Sequence, residues 1–118
     1  MSEKRDVRLF LQDIYEAIGK IKDYTRDMSY EEFLQDERTK DAVVRNLEVI
    51  GEAVKNIPDE FKEKHSELKW KAMAGMRNKL IHGYFGVSFS LVWGTIKNDL
   101  PDLEPQIKKI LEEVKSKQ

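Results

Sequence analysis

The sequence predicts an all-α protein, an up-and-down bundle of four helices with one additional short helix. Apolar residues recur at intervals of three and four along nearly all of the 118 residues, which is the spacing of amphipathic helices. No segment alternates polar and apolar residues as a strand does. Six glycines and three prolines are too few for a turn-rich β-sandwich. We therefore expect one helical domain over residues 1–118.

The start and end of each apolar stripe give the expected helices. The four substantial helices and the shorter one cover residues 4–25, 37–56, 68–82, 88–100 and 103–114, and single short turns are expected over 30–34 and 58–64. Prolines mark three boundaries, because a proline cannot donate the backbone hydrogen bond of a helix interior. Pro58 is expected at the first position of the short connection, Pro101 to interrupt the fourth helix, and Pro105 to lead into the last one.

Charge and cysteine content exclude several classes of protein. With 21 basic and 22 acidic residues the net charge is −1, so the chain is no polycation for nucleic acid, although a local basic patch remains open. The absence of cysteine excludes disulfides and a cysteine nucleophile, and with two histidines we expect neither a metal site nor a cofactor. No signal peptide and no apolar run of about 18 residues is present, so we expect a cytoplasmic protein without membrane contact.

One polar face of the second helix is a candidate cleft or partner surface. Arg45, Glu48 and Glu52 lie at i, i+3 and i+7, away from the apolar seam. Arg45 could pair with Glu48 and offset the repulsion between the two carboxylates. A solvated face held by ion pairs explains the same pattern.

The segment around residues 77–84 carries the chain's sharpest candidate site. Asn78 and His82 are four apart and share a helix face, whereas Arg77 and His82 are separated by about 140° around the axis. Either Arg77 reaches around with its long side chain, or the two groups meet across a two-fold axis in a dimer. His82 falls where the helix should end, a position that favours the imidazolium, and Tyr84 follows it closely. A hydrogen-bonded or surface histidine is the simpler alternative.

These residues resemble a known signature. Arg77, His82 and Tyr84 in GMRNKLIHGYFGV resemble the Arg-x4-His-x-Tyr motif of the HEPN superfamily (higher eukaryotes and prokaryotes nucleotide-binding), and more narrowly the HepT-like toxins. The resemblance extends over nearly the whole chain, from RDVRLFLQDIYEAIGKI through AVVRNLEVIGEAVKNIP to FSLVWGTIKNDLPDLEPQI. It implies a HEPN-like helical homodimer with the motifs of both copies at the dimer cleft.

The resemblance also implies an activity and a partner. Family members act as metal-independent endoribonucleases, so Arg77 and His82 are the expected catalytic residues and Asn78 a supporting one. Such toxins are typically encoded beside a minimal nucleotidyltransferase, the MNT antitoxin, which in some members transfers AMP to the motif tyrosine, here Tyr84. The alternative is a non-catalytic HEPN module that binds nucleotide or RNA, or only presents Tyr84 to the transferase.

Overall fold

A computed structural model gives the fold and describes residues 6–81 and 88–116, with side chains described outside 77–81. All regular structure in these two ranges is helical, so the predicted fold class is confirmed. Seven α-helices and one π-helical turn follow in order: α1 Val7–Tyr24, α2 Tyr30–Gln35, α3 Glu37–Asn56, α4 Asp59–Lys64, α5 Trp70–Ile81, α6 Phe89–Gly94, the π turn Thr95–Asp99, and α7 Leu100–Ser116. In this part of the chain no helix is long and apolar enough to cross a bilayer.

The helices pack as a bundle around one apolar core. α3 packs along both α1 and α5, and α1 also packs along α7. α1 and α7 run antiparallel, because Lys22 near the end of α1 binds Glu104 near the start of α7, while Lys115 near the end of α7 donates to Gln12. The least exposed core side chains come from five of the helices, α1, α2, α3, α5 and α7: Leu11, Ile14, Ile18, Ile21, Phe33, Val43, Leu47, Ile50, Val54, Met73, Ile107 and Ile110.

The first three helices begin at side-chain caps, as their sequences favour. Asp6 accepts from the backbone N–H of Arg8, and Asp36 accepts from that of Thr39 at 3.0 Å. Ser29 and Glu32 form a capping box at the start of α2. The side-chain hydrogen bond from Arg8 lowers the pKa of the Asp6 carboxyl, and the backbone hydrogen bond from Thr39 lowers that of Asp36. Both carboxylates therefore stabilise their helices above the ordinary carboxyl pKa, and this contribution is lost as the pH falls through the lowered values.

Most expected bounds are close to the observed ones. The second expected helix coincides with α3, while α5 begins at Trp70, two residues later than expected. Pro58 is the N-cap of α4, one position before the expected one. In the described ranges two short helices, α2 and α4, precede α5, whereas the predicted fold class included one additional short helix.

The expectation that Pro101 interrupts a helix is wrong. Helical structure is continuous over 89–116, with Pro101 at the second position of α7 and Pro105 inside it. The preceding turn is π-helical, and the Leu100 N–H donates to the carbonyl of Thr95, five residues back. A proline ring normally clashes with the carbonyl four residues back, and the wider turn gives it room. Pro105 lies on an exposed side of α7, where water can solvate the carbonyl that lacks a donor.

An aromatic cluster joins α2 to α6. Phe33 is fully buried, with its ring centroid 5.0 Å from Trp93 and 6.0 Å from Phe89. Tyr30 lies 5.9 Å from Trp93. Two ammonium groups cover the outer rings, Lys40 over Phe89 at 4.8 Å and Lys97 over Trp93 at 4.7 Å. The start of α6 is therefore fixed to α2 and to the start of α3.

We expect Phe33→Ala to lower the free energy of unfolding by about 3–5 kcal/mol, because it empties the centre of this cluster. Urea unfolding followed by far-UV circular dichroism measures the loss. Phe61→Ala is the matched control, since the Phe61 ring is only partly buried and should cost less. An equal loss in both variants would contradict the assignment of Phe33 as the cluster's centre.

Candidate functional site

The helix that carries the motif is anchored at its N-terminal end. The Trp70 indole N–H donates to the His65 carbonyl oxygen at 2.9 Å. The Phe61 ring lies between these residues, with centroids 4.5 Å from His65 and 6.4 Å from Trp70. Trp70, Met73 and Met76 are buried, so one face of α5 is fixed against the bundle.

The backbone of α5 places two motif residues on different sides of the helix. Position 77 follows Trp70 and Met73 by seven and four residues, so it lies on the stripe that these buried side chains occupy. Position 78 falls on the stripe of Lys71 and Gly75, of which Lys71 is exposed. The side chains of Arg77 and Asn78 lie outside the described ones. His82 and Tyr84 lie outside the described residues altogether, so the geometry of the motif stays a prediction.

The far side of the motif segment is also anchored. The described chain resumes at Ser88, and Phe89 packs edge-on against Phe33. Lys40, whose side chain is 12% exposed, pairs with Glu37 at 2.8 Å and covers the Phe89 ring. The start of α6 is therefore held against α2 and the start of α3.

The α3 face of Arg45, Glu48 and Glu52 is exposed and points away from the core. All three side chains are exposed, half a turn from the buried Leu47 and Val54. No ion pair between Arg45 and Glu48 is present among the described residues. Whether this exposed face serves a partner stays a prediction.

Basic residues outnumber acidic ones in the chain between Lys62 and His82, and the structure describes only some of their side chains. Of its described members, Lys64, Lys69 and Lys71 are exposed, and the exposed Glu63 and Glu67 lie among them. Lys62 is half-buried, and the side chains of the cations at positions 77 and 79 lie outside the described ones. Among the described residues, no group of three or more His, Asp or Glu side chains could hold a metal ion.

The comparison with protein families decides the relationship. The model described as "Ribonuclease HepT-like" matches residues 14–110, which include the whole of the segment around Arg77, His82 and Tyr84. The chain belongs to the HepT-like ribonuclease family. The resemblance inferred from the motif is therefore confirmed at the level of the family.

Curated relatives of the HepT-like family agree over nearly their full length. "Probable ribonuclease HepT" of Thermococcus cleftensis is 50% identical over 107 residues, covering 91% of this chain and 97% of the relative. A protein named "Putative RNase" from Methanocaldococcus jannaschii is 47% identical, covering 94% and 92%. Another of that name, from Caldanaerobacter subterraneus, is 47% identical, covering 92% and 96%. No solved structure gives a significant match.

Sequence reasoning missed the supports on both sides of the HepT-like motif. It did not find the His65 carbonyl that holds Trp70, or the lysines that cover Phe89 and Trp93. A signal was present, since aromatic residues flank the motif on both sides. Phe33 and Lys40 are far from Phe89 in sequence, and only the folded chain brings them close, whereas His65 and Lys97 lie within five residues of their partners.

Proposed function

We propose that the chain is a metal-independent endoribonuclease of the cytoplasm, the toxin component of a HEPN/MNT toxin–antitoxin system. The observation that carries the proposal is the family match over residues 14–110, within which the Arg-x4-His-x-Tyr motif is intact at Arg77, His82 and Tyr84. The relatives' names supply the substrate class, since each names a ribonuclease.

The proposed chemistry uses a nucleophile that RNA itself provides. The 2′-hydroxyl attacks the adjacent phosphorus, the bond to the 5′-oxygen breaks, and a cyclic phosphate end remains. His82 acts as general base or acid on the attacking or leaving oxygen. Arg77 binds the phosphate and stabilises the charge that grows on its non-bridging oxygens. Asn78 orients His82 or a phosphate oxygen. No step in this scheme requires a metal-bound water.

The proposed site is composite and lies at the cleft of a homodimer. Helical spacing supports this, because Arg77 and His82 are five residues apart and so would be separated by about 140° around the axis of an ideal helix. A single straight helix therefore presents Arg77 and His82 in different directions. A two-fold axis along this helix brings the Arg77 of one copy towards the His82 of the other.

Inhibition by a nucleotidyltransferase partner follows from the same site. Transfer of AMP to the Tyr84 oxygen would place a bulky negative group in a cleft that binds RNA phosphate, so charge repulsion and steric blockage both oppose the substrate. The face of Arg45, Glu48 and Glu52 is a candidate surface for this partner, because all three residues are exposed. The same face could instead line the cleft.

We expect the purified chain to cleave single-stranded RNA equally well with and without excess EDTA, leaving 2′,3′-cyclic phosphate ends. Intact mass is measured first, because AMP on Tyr84 would mask the activity. A DNA of the same sequence is the control, since it lacks the 2′-hydroxyl and should not be cut. Loss of cleavage in EDTA that returns with added Mg²⁺ would contradict metal independence.

The same experiment tests the alternative function, a non-catalytic module that binds nucleotide or RNA. An unmodified dimer that cleaves none of several RNAs but still binds them would support it. An intact Arg77 and His82 favour the enzyme, because a binding module has no evident need for both.

A further inference from the structure

A crevice opens between the C-terminal end of α1, the π turn and the start of α7. Its volume is about 420 Å³, within the range of about 300–1,000 Å³ that is usual for small-molecule pockets. Its wall includes four buried aliphatic side chains: Ile18 and Ile21 of α1, Ile96 of the π turn, and Leu100 of α7. No described residue of α5 lines this α1–α7 crevice, so it is separate from the described part of the helix that carries the motif.

The π turn places an apolar and a cationic residue at the same opening. Two successive residues of this turn line the crevice, the buried Ile96 and the exposed Lys97. The exposed Pro101, which the wider turn accommodates, lines it as well. The crevice therefore combines an aliphatic wall with a charged rim, and this combination suits a ligand that has an apolar body and a charged end.

The sign of the rim charge favours an anionic ligand. Of the described residues that line the crevice, Lys22, Arg26 and Lys97 are basic, and Glu104 is acidic. Lys22 already binds Glu104 at 3.1 Å, and Arg26 binds Asp23 at 2.8 Å. No described carboxylate pairs with Lys97, whose ammonium lies 4.7 Å from the centre of the Trp93 ring. Lys97 is thus the cation of the rim that is best placed to receive an anion.

The composition of the wall argues against a nucleotide. Proteins hold a nucleobase by stacking it on aromatic rings or guanidinium planes and by hydrogen bonds to its edge. None of the described residues that line the crevice is aromatic, and none carries a side-chain amide. The Thr25 hydroxyl is the one uncharged polar side-chain group among them, and it donates to the Ile21 carbonyl at 2.8 Å. An alkyl chain matches this aliphatic wall better than a base does.

We propose that the α1–α7 crevice binds a medium-chain fatty carboxylate, with the alkyl chain against Ile18, Ile21 and Leu100 and the carboxylate beside Lys97. Burial of the chain supplies most of the affinity, and the ammonium selects the charged end. The carboxylate lies away from Glu104, because like charges repel. The proposal goes beyond RNA cleavage and does not depend on it, since no proposed catalytic residue is among the described residues that line the crevice.

The experiment titrates the purified full chain with hexanoate, octanoate, decanoate and adenosine monophosphate by isothermal titration calorimetry. The parent is compared with Lys97→Gln and Lys97→Glu. Lys108→Gln and Lys108→Glu are the matched controls, because Lys108 is an exposed lysine of α7 that does not line the crevice. Far-UV circular dichroism verifies that each variant is folded, and RNA cleavage is measured separately on all five proteins.

We expect decanoate to bind saturably with one molecule per chain, and the affinity to rise about tenfold for every two methylenes in the series. Lys97→Gln should weaken decanoate about three- to fivefold, because it removes a partly solvated charge pair. Lys97→Glu should weaken it further, since a carboxylate would then face the ligand. Both Lys108 variants should match the parent, and adenosine monophosphate should show no saturable binding at the crevice.

Several outcomes would overturn the proposal. The first is a folded parent that shows no saturable binding of decanoate, and the second is an affinity that does not change with chain length. Equal weakening by the Lys97 and Lys108 substitutions would indicate a general charge effect in place of a site. Adenosine monophosphate that binds more tightly than decanoate and loses affinity in Lys97→Gln would make the crevice a nucleotide site.

The same variants keep this proposal distinguishable from the proposed function. Lys97→Gln should cleave RNA at the parental rate if the parent is a ribonuclease, because Lys97 has no part in the proposed chemistry. A parent that binds decanoate and cleaves no RNA would leave the crevice standing and remove the enzyme. A parent that cleaves RNA and binds no fatty carboxylate would do the reverse.

Discussion

Replacing His82 with alanine is expected to reduce RNA cleavage by about 10²–10⁴-fold, because it removes the proton-transfer group from both sites of the dimer. Initial rates on a defined single-stranded RNA measure the loss, and the dimer content measured by sedimentation should not change. A cleavage rate within a few fold of the parent would exclude His82 from the chemistry.

His65→Ala is the matched control, since His65 is the chain's other histidine. Its ring stacks on Phe61 and its Nδ1 lies 3.9 Å from a Glu67 carboxylate oxygen, while the hydrogen bond to Trp70 uses its backbone carbonyl. This variant keeps the anchor of α5 and should keep the parental cleavage rate, with a small loss of stability. Equal losses of cleavage in both variants would indicate a general effect of histidine removal on the fold.

A heterodimer of Arg77→Ala and His82→Ala subunits is expected to recover about half of the parental rate, although each homodimer is nearly inactive. In a composite site, one cleft of the heterodimer combines the intact Arg77 of one subunit with the intact His82 of the other. The second cleft lacks both groups. Co-expression with two different affinity tags, followed by sequential purification on both, isolates the heterodimer for the assay.

The same heterodimer tests the opposite arrangement. If Arg77 and His82 of one chain act together, every site in the heterodimer lacks one of them and cleavage stays at the level of the homodimers. The control is a heterodimer of parent and His82→Ala subunits, which should also keep about half of the parental rate. An inactive Arg77→Ala/His82→Ala heterodimer beside an active control would refute the composite site.

The motif region shows which features could be predicted from the sequence and which could not. The Arg-x4-His-x-Tyr spacing led to the HepT-like family, which the family comparison confirms. The same sequence did not show that Lys40 covers Phe89, because these residues are 49 positions apart and meet only through packing of α3 against α6. It also suggested an Arg45–Glu48 pair that does not form, since helix spacing permits an ion pair without requiring one.

Local sequence patterns were enough to predict the fold class, most helix bounds and the position of the motif. These depend on apolar spacing and on caps such as Asp6 and Asp36, whose hydrogen bonds reach only two or three residues along the chain. Only the folded chain shows that helical structure continues through Pro101 and that Leu91 is exposed. Exposure and packing depend on contacts between residues far apart in sequence. The spacing of apolar residues along the chain carries no information about those contacts.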